Sequence, residues 1–130
     1  MSADTTHLQD LFERVVDRIG DPAPRVYERL FALQPGLLPR FAADTSGAAR
    51  AEMFMRAVEA LEGLAAGQAW APGLIASERA NHAMGGLDAG DFDLYFRLIG
   101  EVFRDALGDA WSAHDQALWS RVLAAAAAAR

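Results

Sequence analysis

The stretch Phe92-Asp-Leu-Tyr-Phe-Arg-Leu-Ile-Gly-Glu-Val-Phe-Arg-Asp-Ala-Leu107 decides the fold class. Its apolar residues Phe92, Tyr95, Phe96, Ile99, Val102, Phe103, Ala106 and Leu107 recur at intervals of three and four, the period of an α-helix that turns one broad face to a core. Asp88, with Asp91 three residues on, reads as the N-cap and first-turn acid that start this helix. A half-buried strand would alternate every second residue, and no such alternation occurs in the chain.

Working outward, Leu8, Leu11, Phe12, Val15, Val16 and Ile19 form an earlier helical stripe that stops at Gly20-Asp21-Pro22. A second helix is predicted from Pro22 or Pro24 through Leu33, because proline is tolerated in a first turn whose amides need no partner. Pro35 and Pro39 leave space for one short turn ending near Phe41, and a small, polar loop follows from Ala42 to Gly47. A helix from Ala48 to Ala66 carries Met53, Phe54, Ala57, Val58, Leu61 and Leu64 on one side. A shorter one is predicted from Pro72 to Met84, closing at Gly85-Gly86. Ser112 with Asp115 starts the last helix, which ends in an alanine run that favours helix but is too small to pack tightly. The class is therefore all-α, with six or seven helices whose mutual packing makes the core.

At 130 residues, 52% hydrophobic, 23% charged and with a net charge of −6, the chain reads as one folded domain over residues 1–130. Without cysteine it can have no disulfide, thiolate nucleophile or thiolate metal site. All 12 basic residues are arginine, so Schiff-base chemistry through lysine is also closed. The arginines are scattered singly in an acidic chain, which argues against a nucleic-acid partner. The longest apolar stretch, Val122 to Ala129, is far short of the roughly 20 residues of a membrane span. Met1 to Asp10 lacks the pattern of a signal peptide, and the expectation is a soluble, cytoplasmic protein with no membrane partner.

Few side chains remain for chemistry. His7 falls in an expected frayed terminus and His114 in an exposed first turn, neither with an evident partner. His82 lies after Asn81 near the end of a short helix, just before the Gly85-Gly86 break. It reads as a solvated bystander or as a single ligand. A protein-only zinc site needs three or four converging ligands, and no His/Asp/Ser constellation for hydrolysis is visible. One histidine suffices where a haem macrocycle supplies four nitrogens to iron and the helices leave a flat apolar slot.

The run Val26-Tyr-Glu-Arg-Leu-Phe-Ala-Leu-Gln-Pro-Gly-Leu-Leu-Pro-Arg-Phe41 resembles the second and third helices of bacterial haemoglobins and flavohaemoglobins, whose pattern reads aromatic, Leu-Phe, Pro, then Pro-x-Phe. Asn81-His82, Gly86, Phe92 and Leu107-Gly-Asp-Ala-Trp111 fall at the spacings those globins show from their proximal histidine onward. The resemblance covers about residues 8 to 125 and is weakest at the first helix. It implies a globin-like fold of six to seven helices around a haem pocket, with His82 as the axial ligand of a haem b and Phe41 stacked on its face. Tyr27 matches the distal tyrosine whose hydroxyl donates to a bound gas, although a core aromatic with its hydroxyl at the surface is the competing reading.

Arg50 falls where these globins often carry a distal glutamine, and Phe54 one turn later at an apolar pocket position, in a register open by one residue. Arg50 is then a cationic donor or propionate partner, or else a solvated charge. Met53 and Met55 are gap-fillers, or one of them approaches the distal iron position. Phe92 replaces the tyrosine that flavohaemoglobins place near the proximal imidazole, and the last helix stops before the glutamate that completes their proximal network. Weaker electron push is the consequence. Glu78, one turn before His82, occupies a usually apolar place, where a carboxylate is costly to bury unless Arg79 or Arg50 pairs with it.

The resemblance thus implies a haem protein that reversibly binds a diatomic gas, oxygen or nitric oxide, for storage, sensing or detoxification. Nitric oxide oxidation would require an external reductase, since the chain has no room for flavin and nicotinamide sites. A monomer or a homodimer is compatible with it. The alternative is a haemless globin-fold module for interaction or signalling, motivated by Glu78 and the incomplete proximal network.

Overall fold

A computed structural model of the chain describes residues 3–130. Six α-helices and two short 3-10 turns follow in order: α1 (Ala3–Ile19), α2 (Ala23–Leu33), a 3-10 turn (Pro35–Phe41), α3 (Ala48–Ala65), α4 (Trp70–Met84), α5 (Ala89–Leu107), a 3-10 turn (Gly108–Ala110) and α6 (Ala113–Ala128). No strand occurs among the described residues, and no helix there is long and apolar enough to cross a membrane.

Local chemistry explains most boundaries. Pro22 caps α2 with Pro24 in its first turn. Pro35 and Pro39 confine the next segment to a 3-10 turn, because Pro39 has no amide to donate. Gly47, at φ +81°, precedes α3 in a left-handed conformation that a side chain would resist. The Asp88 carboxylate accepts from the Gly90 amide at the start of α5. Ser112 and Asp115 form a complete capping box at α6, each side chain accepting from the other's amide. Helix α4 begins at Trp70, two residues before the expected Pro72, which sits in a first turn where its missing amide costs nothing.

Two helices organise the rest. Helix α5 packs against α1, α2, α4 and α6, and α3 against the same four. Leu98, Ile99, Val102 and Phe103 of α5 are fully buried, as are Phe54 and Leu61 of α3. At Gly100 the α5 backbone meets the Trp119 indole directly, since a Cβ there would overlap it. All six helices contribute to one continuous core.

Two sequence expectations are corrected. His7 is not frayed: its Nε2 lies 2.6 Å from the Asp115 carboxylate and its ring stacks on His114 at 4.3 Å. Asp115 also takes a 2.7 Å hydrogen bond from Arg14, so α1 is fastened to the capping box of α6. The alanine run also packs, because Ala126 and Ala129 are buried and their carbonyls accept from the buried Arg79 guanidinium at 3.0 and 3.1 Å.

Candidate functional site

Helices α2 to α5 and the Pro35–Phe41 turn line a cavity of about 390 Å³ that opens to solvent on one side. Tyr27 and Leu30 line it from α2, Leu37 and Phe41 from the turn, and Met53, Ala57 and Ala60 from α3. Ile75, Glu78 and His82 line it from α4, and Phe92, Tyr95 and Phe96 from α5. The walls are predominantly apolar and aromatic with few polar groups, the composition of a small-molecule site. Tyr27 meets Phe41 edge-on with centroids 5.5 Å apart, and Phe41 lies 5.5 Å from Phe31.

His82 is oriented by its own helix. Its Nδ1 lies 2.7 Å from the Glu78 backbone oxygen one turn earlier, so Nδ1 carries the proton and donates. In the neutral imidazole this leaves Nε2 as the nitrogen with the lone pair, on a side chain that lines the cavity. The Phe92 ring packs 5.4 Å from the imidazole, and the Arg79 guanidinium lies 4.7 Å from the centroid of that same phenylalanine. Arg79 also pairs with Asp93 at 2.8 Å. Phe92 is thereby held between two residues of α4.

Glu78 pairs with neither arginine. Its side chain is 43% exposed, with the carboxylate 3.8 Å from His82 Nδ1, so it does not bear the full cost expected of a buried carboxylate. Arg79 turns instead to Asp93 and the end of α6, and Arg50 to Asp44.

Five of the sequence-designated residues, Tyr27, Phe41, Met53, His82 and Phe92, share this cavity. Phe54 and Arg50 do not. Phe54 follows Met53 by one position, about 100° around the helix, and points into the core, 6.3 Å from the Phe12 ring. Arg50 holds the turn before α3: its Nε bonds the Asp44 carboxylate and its Nη2 the Asp44 carbonyl, both at 3.0 Å. Asp44 also accepts from the Ala49 and Arg50 amides. Desolvation opposes ionisation of Asp44, but the three donations to its carboxylate, from the Ala49 and Arg50 amides and from Arg50 Nε, together with the Arg50 charge, prevail and hold its carboxyl below the usual range. Arg50 lines a separate outer groove, with Tyr27 and Phe31 on its inner side. Met55 is exposed, leaving Met53 as the methionine on the cavity.

Tyr95 and Phe96 line the cavity but were not singled out by the sequence, because their places in the α5 stripe read equally well as core. The Tyr27 and Tyr95 hydroxyls are hydrogen-bonded at 3.0 Å. Burial pushes the Tyr27 phenol up to about 12 and raises Tyr95 further, so both are neutral donors at physiological pH.

No cluster of three or more His, Asp or Glu side chains close enough to hold a metal ion exists among the described residues. The donor set fits a group that brings its own metal ligands. One imidazole has a fixed tautomer, aromatic rings wall the cavity, and Arg56 lines it as a cation, alongside the carboxylates of Glu59, Glu78 and Asp91.

No protein-family model matches the chain, and no curated protein or solved structure matches it.

Proposed function

We propose that this chain is a globin-like protein that holds one b-type haem in the cavity through His82 and reversibly binds a diatomic gas, oxygen or nitric oxide, beside Tyr27. The observation that carries this reading is the hydrogen bond from His82 Nδ1 to the Glu78 carbonyl, made by a histidine that shares an apolar, aromatic cavity with a buried phenol. Ligation through Nε2 needs that tautomer, and metal-bound imidazoles are commonly fixed by a hydrogen bond from the other ring nitrogen.

When bound, the haem supplies an iron centre able to coordinate a gas molecule reversibly. The chain supplies the surroundings. His82 Nε2 is the candidate iron ligand. Phe41 and Phe92 offer flat apolar surface and exclude water, and the Tyr27 hydroxyl donates to a partner that gains negative charge. The acceptor behind His82 is a neutral carbonyl, and Phe92 beside the ring brings no hydroxyl. The imidazole therefore gains little anionic character, which favours binding, storage or sensing over peroxide chemistry. Oxidation of nitric oxide would also require electrons from a reductase.

Absorption spectra of the haem-supplemented protein, as isolated and after dithionite, test the reading. A Soret band that His82→Ala abolishes or displaces is expected; a band indifferent to that change removes His82 as the ligand. The second reading, a haemless interaction or signalling module, is favoured by the three carboxylates around the cavity against the single Arg56. Failure of the folded protein to take up haem decides for it.

A further inference from the structure

Tyr27 and Tyr95 come from different helices, 68 positions apart, and their hydroxyls meet at 3.0 Å on the lining of the cavity. Their rings pack edge-on, with centroids 5.5 Å apart and planes at 65°, so the meeting is fixed by ring packing as well as by the hydrogen bond. Neither hydroxyl has another hydrogen-bond partner among the described residues. The two phenols hold two O–H protons, of which their mutual bond uses one. The other remains for whatever occupies the cavity. Donation from one phenol draws electron density from the oxygen that accepts it and makes the second O–H a stronger donor, so hydroxyls in series bind an acceptor better than one alone.

We propose that Tyr95 is a positioning residue that donates to the Tyr27 oxygen and aims the Tyr27 proton at a small hydrogen-bond-accepting ligand, so that the two tyrosines recognise the ligand as one unit. This rests on the haem reading for the identity of the ligand, but the pair itself does not depend on haem. The ligand class follows from the chemistry. A donor unit in an apolar cavity favours a diatomic that draws negative charge onto its outer atom over one that remains nearly neutral, so it retains oxygen more strongly than carbon monoxide.

These are the two tyrosines of the chain, so phenolate absorbance reports on the pair alone. In the intact protein without haem, a rapid jump to pH 11 is expected to leave both un-ionised, whereas ordinary tyrosines titrate near pH 10. Burial is the main cause that raises both groups, so ionisation of both near pH 10 would mean that the hydroxyls stand in solvent rather than meeting inside, and overturns the pair. With haem, the oxygen dissociation rate is expected to rise about fivefold in Tyr95→Phe and about tenfold or more in Tyr27→Phe. The double variant is expected to be no faster than Tyr27→Phe, because Tyr95 acts through Tyr27. In Tyr95→Phe, the stretching frequency of bound carbon monoxide is expected to move toward its value in Tyr27→Phe, a shift that a merely structural role would not produce.

An unchanged dissociation rate in Tyr95→Phe, or single effects that simply multiply in the double variant, overturns the proposal while an intact Soret band leaves the haem reading standing. A wild type without a Soret band ends both. Phe for Tyr removes one oxygen and keeps the ring contacts. Should Tyr95→Phe nonetheless fail to fold, Tyr95→Met, which also removes the hydroxyl, decides through the same dissociation rate.

Discussion

His7 Nε2 and Asp115 Oδ1 lie 2.6 Å apart, joining the start of α1 to the capping box of α6 across 108 positions of sequence. Burial pushes the Asp115 carboxyl up, but donation from Arg14, from the Ser112 amide and from His7 outweighs it and holds the group well below the usual carboxylate range. A carboxyl depressed in the folded state stabilises fully above its unfolded value of about 4, and that contribution is lost as the pH falls toward the folded value. Denaturant unfolding is therefore expected to show stability falling below about pH 4. Asp115→Asn is expected to be roughly 2 kcal/mol less stable at pH 7 and to have a flatter acid limb. An equally steep limb in that variant means that the acid sensitivity arises elsewhere.

Gly100 and Trp119 give a packing test. Alanine is about 1 kcal/mol better than glycine inside a helix. A Cβ at Gly100, however, would overlap an indole that is itself buried, and overpacking of this kind costs roughly 1–3 kcal/mol. Gly100→Ala is expected to lower the melting temperature despite its propensity advantage; a more stable variant would show that Trp119 is free to move aside.

Arg79 concentrates several contacts in one buried guanidinium: the carbonyls of Ala126 and Ala129, the Asp93 carboxylate and the Phe92 face. Arg79→Met keeps much of the stem but orphans those acceptors, and a loss of roughly 2–4 kcal/mol is expected. Amide exchange over the last turn of α6 should quicken in the variant. Unaltered protection there would separate Arg79 from the helix end.

Glu78 tests which of its two oxygen-bearing groups matters. Its backbone carbonyl orients His82, whereas its exposed carboxylate stands 3.8 Å away. Glu78→Gln retains the carbonyl, so haem uptake and the Soret position should match the wild type. Loss of the band on this change would assign the orientation of His82 to the carboxylate instead.

Helix identities and most boundaries were legible in the sequence because their causes are local. Apolar residues at intervals of three and four mark each buried face, and Pro22, Pro35, Asp88 and Ser112 mark starts and stops through groups only a few residues distant. The candidate site was legible in part. Periodicity cannot separate a residue facing a cavity from one facing a packed core, so Tyr95 and Phe96 read like the remainder of the α5 stripe. From α3, the sequence placed Met53 on the cavity correctly but Phe54 one position out of register and Arg50 away from it, and it did not single out Ala57 and Ala60 as lining residues.

By itself the sequence determined an all-α chain with no thiol or lysine chemistry and a single histidine suitably placed near a helix end. Only the tertiary structure decided that His7 meets Asp115, that Arg79 crosses to α6 while Glu78 stays half-exposed and unpaired with any arginine, and that Tyr27 meets Tyr95. The physical reason is range. Caps and stripes act within a turn or two of helix, whereas these partners are 47 to 108 positions apart and meet only because six apolar faces close on one core.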